Sequence, residues 1–126
     1  MTVMNKFKII FKNNMSVTVK AKLYEWPKSP LSKMLYLYDD NRKVIGMYDV
    51  SNIISIIELL DSKAASSATK KCYIDSEIQQ FFILADECTY VPDTNILKLY
   101  SDNKLISTVN LNVAYGYYIE QKELNI

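Results

Sequence analysis

Apolar and polar positions alternate with a period of two at the start of the chain. Phe7, Ile9 and Phe11 are spaced by Lys8, Ile10 and Lys12, and Met15, Val17, Val19, Ala21 and Leu23 are spaced by Ser16, Thr18, Lys20, Lys22 and Tyr24. Successive side chains of a strand point to opposite faces, so the pattern predicts two half-buried β-strands. Asn13-Asn14 is the turn signal between them. The register follows if both apolar stripes share one face. A two-residue loop would pair Lys12 with Met15 and split the stripes. A three-residue loop, Lys12-Asn13-Asn14, pairs Phe11 with Met15, Ile9 with Val17 and Phe7 with Val19, with Asn14 as the left-handed residue. The other face then carries Lys8, Lys20 and Lys22, with Lys12 at the tip.

Trp26-Pro27-Lys28-Ser29-Pro30 predicts a loop, because proline lacks a backbone donor and holds its predecessor extended. Met34 to Tyr38 reads as a strand, Asp39-Asp40-Asn41-Arg42 as a polar turn and Lys43 to Tyr48 as the returning strand. Ile53 to Leu60 has two readings. Ile53, Ile56, Ile57 and Leu60 fit a helical face capped by Ser51, whereas its β-branched density favours a strand. Ala64 to Lys71 reads as a linker. Asp75 to Ala85 reads as a short helix running into a strand, with Ser76 and Gln79 as a capping box; a strand over Gln80 to Ala85 is the alternative.

The second half repeats the first weakly. Leu37-Tyr38-Asp39-Asp40-Asn41-Arg42-Lys43-Val44-Ile45 matches Leu99-Tyr100-Ser101-Asp102-Asn103-Lys104-Leu105-Ile106 with one deletion. Self-similarity at such a period bears on architecture before local propensity does. Val113 to Ile119 is strand-like, so the repeat tilts Ile53 to Ile57 toward strand. The expected fold is mainly β: antiparallel sheets in two related meander-like halves, residues 6–60 and 72–122, within one compact domain of residues 1–126, with one or two short helices. The alternative is an α+β fold with a helix at 52–62 or 76–86.

Composition narrows the chemistry. The 126 residues are 49% hydrophobic, enough for a buried core, and no apolar run has a membrane span's length. The first residues carry no apolar signal segment, and Cys72 and Cys88 are too few for a disulfide scaffold, so reduced thiols and a cytoplasmic location are expected. There is no histidine, which excludes Ser-His-Asp and Cys-His catalysis and His-ligated zinc. Gly46 and Gly116 are the only glycines, too few for a phosphate-cradling loop. Asp39/Asp40 and Asp86/Glu87 lie in turns, where carboxylates satisfy backbone donors. The acids around Cys88 disfavour its thiolate. No enzyme activity, cofactor or metal is expected.

Charge and aromatics point to binding instead. Residues 1–43 hold nine basic and three acidic side chains, and residues 44–126 hold six and eleven. Such polarity suggests a face for anions. Lys8, Lys12, Lys20 and Lys22 form the candidate basic face for a nucleic acid or ribonucleoprotein, although Arg42 is the chain's sole arginine and base readers favour arginine. Trp26, Tyr36, Tyr38, Tyr115 and Tyr117 are the candidate aromatic contacts for a host protein. The Lys/Asn/Tyr/Ile-rich, histidine-free composition, the Asp-Asn turns and the tail Glu120-Gln121-Lys122-Glu123-Leu124-Asn125 resemble small orphan phage and plasmid proteins of low-GC Gram-positive bacteria, among them type II-A anti-CRISPR proteins. That resemblance implies an inhibitor of a host defence nuclease or its guide-RNA complex. Several such inhibitors are acidic DNA mimics; a chain of net charge +1 departs from that pattern. The expected function is a non-catalytic protein-binding module with no membrane partner. The alternative is an RNA- or DNA-binding accessory protein using the basic hairpin. Monomer and homodimer both remain open.

Overall fold

The computed structural model describes residues 4–29, 31–59, 70–77 and 79–120. They form twelve strands: β1 (Asn5–Phe11), β2 (Ser16–Ala21), β3 (Leu23–Glu25), β4 (Met34–Tyr38), β5 (Val44–Asp49), β6 (Ile53–Glu58), β7 (Lys70–Asp75), β8 (Gln80–Ala85), β9 (Glu87–Val91), β10 (Ile96–Ser101), β11 (Lys104–Asn110) and β12 (Gly116–Glu120). A single 3-10 turn, Val50–Asn52, is the sole helical element among the described residues. All pairings are antiparallel, so the fold is mainly β.

The first hairpin has the register that one shared apolar face requires. Phe7 stands opposite Val19 and Ile9 opposite Val17, the Phe11 amide donates to the Met15 carbonyl, and Asn14 is left-handed at φ 71°. The two helix readings are corrected. Ile53–Glu58 is a central strand between β1 and β11, where β-branched side chains pack well on both faces. Gln80–Ala85 is β8, paired with β7 so that Asp75 faces Gln80. Ser76 and Gln79 close that hairpin rather than cap a helix: the Ser76 amide and hydroxyl both donate to the Gln79 carbonyl. The expected linker reached too far, since Lys70 and Lys71 belong to β7; residues 64–69 lie outside the described residues. Val113 to Ile119 is a strand only from Gly116. Before it, the Val113 and Ala114 amides turn back onto the Asn110 carbonyl.

Three sheets result: β2-β1-β6-β11-β10-β9, β12-β7-β8 and β3-β4-β5. The two halves have one connectivity. In each, a hairpin (β1-β2, β7-β8) leads through an alanine bend, Ala21-Lys22 or Ala85-Asp86, into a three-strand meander (β3-β4-β5, β9-β10-β11). A last strand then returns to pair with the first (β6 on β1, β12 on β7). The register shifts at equivalent places, Leu37/Tyr38 and Leu99/Tyr100, and at each bend an amide (Lys22, Asp86) donates 2.8 Å to the equivalent tyrosine carbonyl (Tyr38, Tyr100). The deletion lies in the meander turn. Arg42 alone is left-handed in the longer loop, whereas Asp102 and Asn103 both are in the shorter one, the signature of a two-residue hairpin turn.

There are two cores, the first built by the first half and the second by the second half together with Ile10 and Ile54 of the first. Phe7, Ile9, Leu35, Leu37, Ile53 and Ile56 close the first, and Cys72, Ile74, Ile83, Leu97, Leu99 and Val109 the second. The halves join where β6 pairs β11, Ser107 opposite Ile57, Thr108 opposite Ile56 and Val109 opposite Ser55. Two buried serines complete this seam. Ser107 Oγ donates to the Ile56 carbonyl at 2.9 Å, Ser55 Oγ donates to the Thr108 carbonyl at 3.1 Å, and the two hydroxyls lie 3.1 Å apart. Burying polar groups is tolerable here because each is bonded. Ser55→Ala and Ser107→Ala should each destabilise the fold by about 1–2 kcal/mol, and the double variant should depart from additivity by about 0.5 kcal/mol or more. Urea unfolding midpoints of the four proteins check this.

Candidate binding surfaces

The candidate basic face forms only in part. Lys6 stands directly opposite Lys20, and Lys8 lies two residues along β1 opposite Thr18, so Lys6, Lys8 and Lys20 share one solvent face of the β1-β2 hairpin. Lys6 obeys the same parity as Lys8 and was legible by extending the alternation one step toward the N-terminus. Lys22 is exposed at the bend between β2 and β3, where the hairpin face ends. Lys12 lies past the end of β1 and is set apart from Lys8 by Ile10, which has the same parity but is buried in the second core. Its amide is tied to the Asn52 carbonyl, and its side chain lines a cleft with Ser76 and Glu77 of the other half.

The candidate aromatics scatter over three places. Tyr36 and Tyr38 share the outer face of β4, their ring centroids 6.4 Å apart. Tyr36 is flanked by Glu25 and Met47, and Tyr38 by Leu23 and Val44, of which Leu23, Val44 and Met47 are exposed. Tyr115 is solvent-exposed just before β12, and Tyr117 lies opposite Ile74 on the inner side of the sheet, at its open edge. Trp26 is half-buried against the first core and forms a wall of two clefts of about 250 and 340 Å³ between the halves. Their polar walls are mutually satisfied: Asn95 donates to Asn112, Asn112 to the Thr94 carbonyl, and Asn110 to the Val50 carbonyl.

A stronger aromatic surface lies on the β12-β7-β8 sheet. Tyr118, Tyr73 and Phe82 stand abreast on its three strands and point away from the core. The Tyr73 and Phe82 rings are 5.8 Å apart, and Lys71 Nζ sits 5.1 Å from the Phe82 centroid, within cation–π range. Tyr118 is 64% exposed and Phe82 49%, and Leu84 extends the patch. The solvent face of an antiparallel sheet is ordinarily polar, so this row is out of pattern. The helix reading of residues 75–85 concealed it, since Phe82 and Tyr73 come abreast only when both segments are strands.

One carboxylate of each acidic pair is held by backbone amides. Asp39 Oδ1 accepts from the Asn41 and Lys43 amides, and Asp86 Oδ2 from the Asp102 amide. Burial, reinforced by Cys88, pushes the Cys72 thiol up to about 12, and burial also raises Cys88 although Lys70 opposes it. The neighbouring acids expected to act on Cys88 are therefore not the cause. Among the described residues, no three His, Cys, Asp or Glu side chains are grouped to hold a metal ion, and no helix is long and apolar enough to cross a membrane. Comparison with family models, with curated proteins and with solved structures gave no match to this chain.

Tyr24 ties the halves together from β3, its hydroxyl 2.8 Å from Thr108 Oγ1 of β11. Burial pushes its phenol from 10.0 to about 12, and the hydrogen bond to Thr108 only partly opposes this. A phenol or thiol whose pKa is raised on folding favours the native state fully below its unfolded value and loses that contribution as pH rises through the folded one. Stability should therefore hold to the Cys72 reference of 9.0 and fall between there and about 12. Tyr24→Phe should flatten the upper part of that fall. Denaturant midpoints measured across this range, with and without the substitution, test it.

Proposed function

We propose that this protein is a non-catalytic protein-binding module whose contact surface is the outer face of the β12-β7-β8 sheet. The observation that carries the reading is the solvent-facing row Tyr118–Tyr73–Phe82. Aromatic side chains supply large contact area at small entropic cost, and such residues dominate binding energy at the centre of interfaces. The engaged carboxylates and raised thiols favour binding over catalysis. The likeness to phage and plasmid proteins directs the choice of target to a host defence nuclease or its guide-RNA complex, with this chain as the inhibitor.

The second reading, nucleic-acid binding, is favoured by one specific observation: Lys6, Lys8 and Lys20 are gathered on one face of the hairpin. Contacts of that kind go to phosphates and weaken steeply with salt.

Two variants separate the readings, Tyr73→Thr/Phe82→Thr and Lys6→Glu/Lys8→Glu/Lys20→Glu. Each is assayed against a type II-A effector nuclease with and without guide RNA, and against RNA alone. The expected result is capture of the nuclease that survives ~0.5 M salt, where exposed charges are strongly screened. The aromatic variant should weaken it about thirtyfold, and the lysine variant less than threefold. Salt-sensitive RNA binding lost in the lysine variant would favour the second reading. No binding to the nuclease in either form would remove the target.

A further inference from the structure

Among the described residues, the shared connectivity of the halves leaves two strands without the neighbour that their counterparts have. The shared ladders set the equivalences: β11 corresponds to β5, and β6 to β12. Among the described residues β11 and β6 pair, whereas β5 and β12 are edge strands of separate sheets. Exposure marks the difference. On β11, Ile106 and Thr108 are 4% and 1% exposed, but their counterparts Ile45 and Met47 are 48% and 53%. On β6, Ile56 is fully buried, but its counterpart Tyr117 is 40% exposed.

We propose that β5 of one copy of this chain pairs with β12 of a second copy, repeating between molecules the β11–β6 junction that joins the halves. The internal register, Ser107 opposite Ile57, Thr108 opposite Ile56 and Val109 opposite Ser55, transposes residue for residue. It places Gly46 opposite Tyr118, Met47 opposite Tyr117 and Tyr48 opposite Gly116. The chain's only two glycines thus occupy the positions of the two seam serines, Ser107 and Ser55. Each glycine faces a tyrosine across the new ladder, a pairing in which the ring covers backbone that glycine leaves bare. Gly46 also makes room for Leu37, whose Cδ1 would lie 2.9 Å from an added Cβ. Gly116 has no such reason among the described residues: none lies within 4 Å of an added Cβ, and its φ is not positive. An apolar edge strand without such a partner is an aggregation hazard, and β5 carries Val44, Ile45 and Met47 with its one charge, Asp49, at the end.

The two halves are not related by a two-fold axis, since β5 and β12 would then pair within one molecule. The association is therefore head-to-tail, and it closes as a ring or continues as a fibre.

Sedimentation and light scattering of the isolated protein test this without any other partner, so failure here leaves the aromatic-face reading standing. Association that grows with concentration is expected, with Met47→Lys and Tyr117→Lys each shifting it to monomer while circular dichroism stays unchanged. As a second arm, Met47→Cys and Tyr117→Cys proteins in a Cys88→Ala background are mixed and oxidised. A disulfide joining the two different chains is expected to predominate. A monomer at every concentration up to ~1 mM, association unaffected by folded lysine variants, or disulfides only between like chains would each overturn the proposal. If the lysine variants fail to fold, the mixed disulfide decides.

Discussion

The pairing of β6 with β11 is the constraint on which the rest depends. It fuses the hairpin of one half to the meander of the other and so creates the six-stranded sheet. That sheet has a core on each side, at opposite ends: the β3-β4-β5 side chains Leu35 and Leu37 cover one, and the β12-β7-β8 side chains Cys72, Ile74 and Ile83 the other. Ser55 and Ser107 let the two strands approach with small, bonded side chains. Two further bonds tie β11 to the first half, Tyr24 of β3 to Thr108 Oγ1 and Asn110 to the Val50 carbonyl.

What the seam buries also determines what stays exposed. Equivalent faces of the two hairpins differ in chemistry. Lys8 and Thr18 correspond by register to Tyr73 and Phe82, so one half presents a basic face where the other presents an aromatic one. Two halves of one connectivity thus present two surfaces of different character. The reading as a binding protein draws on that division of labour between scaffold and surface.

The first hairpin was legible in detail because alternation and a single shared apolar face leave only one loop length. The meander turns were legible because Asp-Asn stretches tolerate left-handed backbone, as Asp102 and Asn103 do. Ile53–Glu58 and Gln80–Ala85 were ambiguous for a physical reason. A strand buried on both faces loses its alternation, and Phe81-Phe82 puts an aromatic on the inside and the outside alike. Of the candidate site, Lys8 and Lys20 share one face of the hairpin, while Lys12 is cut off from them by Ile10, which the other half of the molecule buries. Tyr73 and Phe82 become a surface only through the pairing of β7 with β8, which is a property of the fold rather than of either segment.

Amide hydrogen exchange, resolved by residue, reads the central claim most directly. If the β6–β11 seam unites the halves into one cooperative structure, amides of its ladder exchange only through global unfolding and share the highest protection in the molecule. Faster exchange along β6 or β11 than within the β1-β2 and β7-β8 hairpins, or separate opening of the two halves, would contradict it.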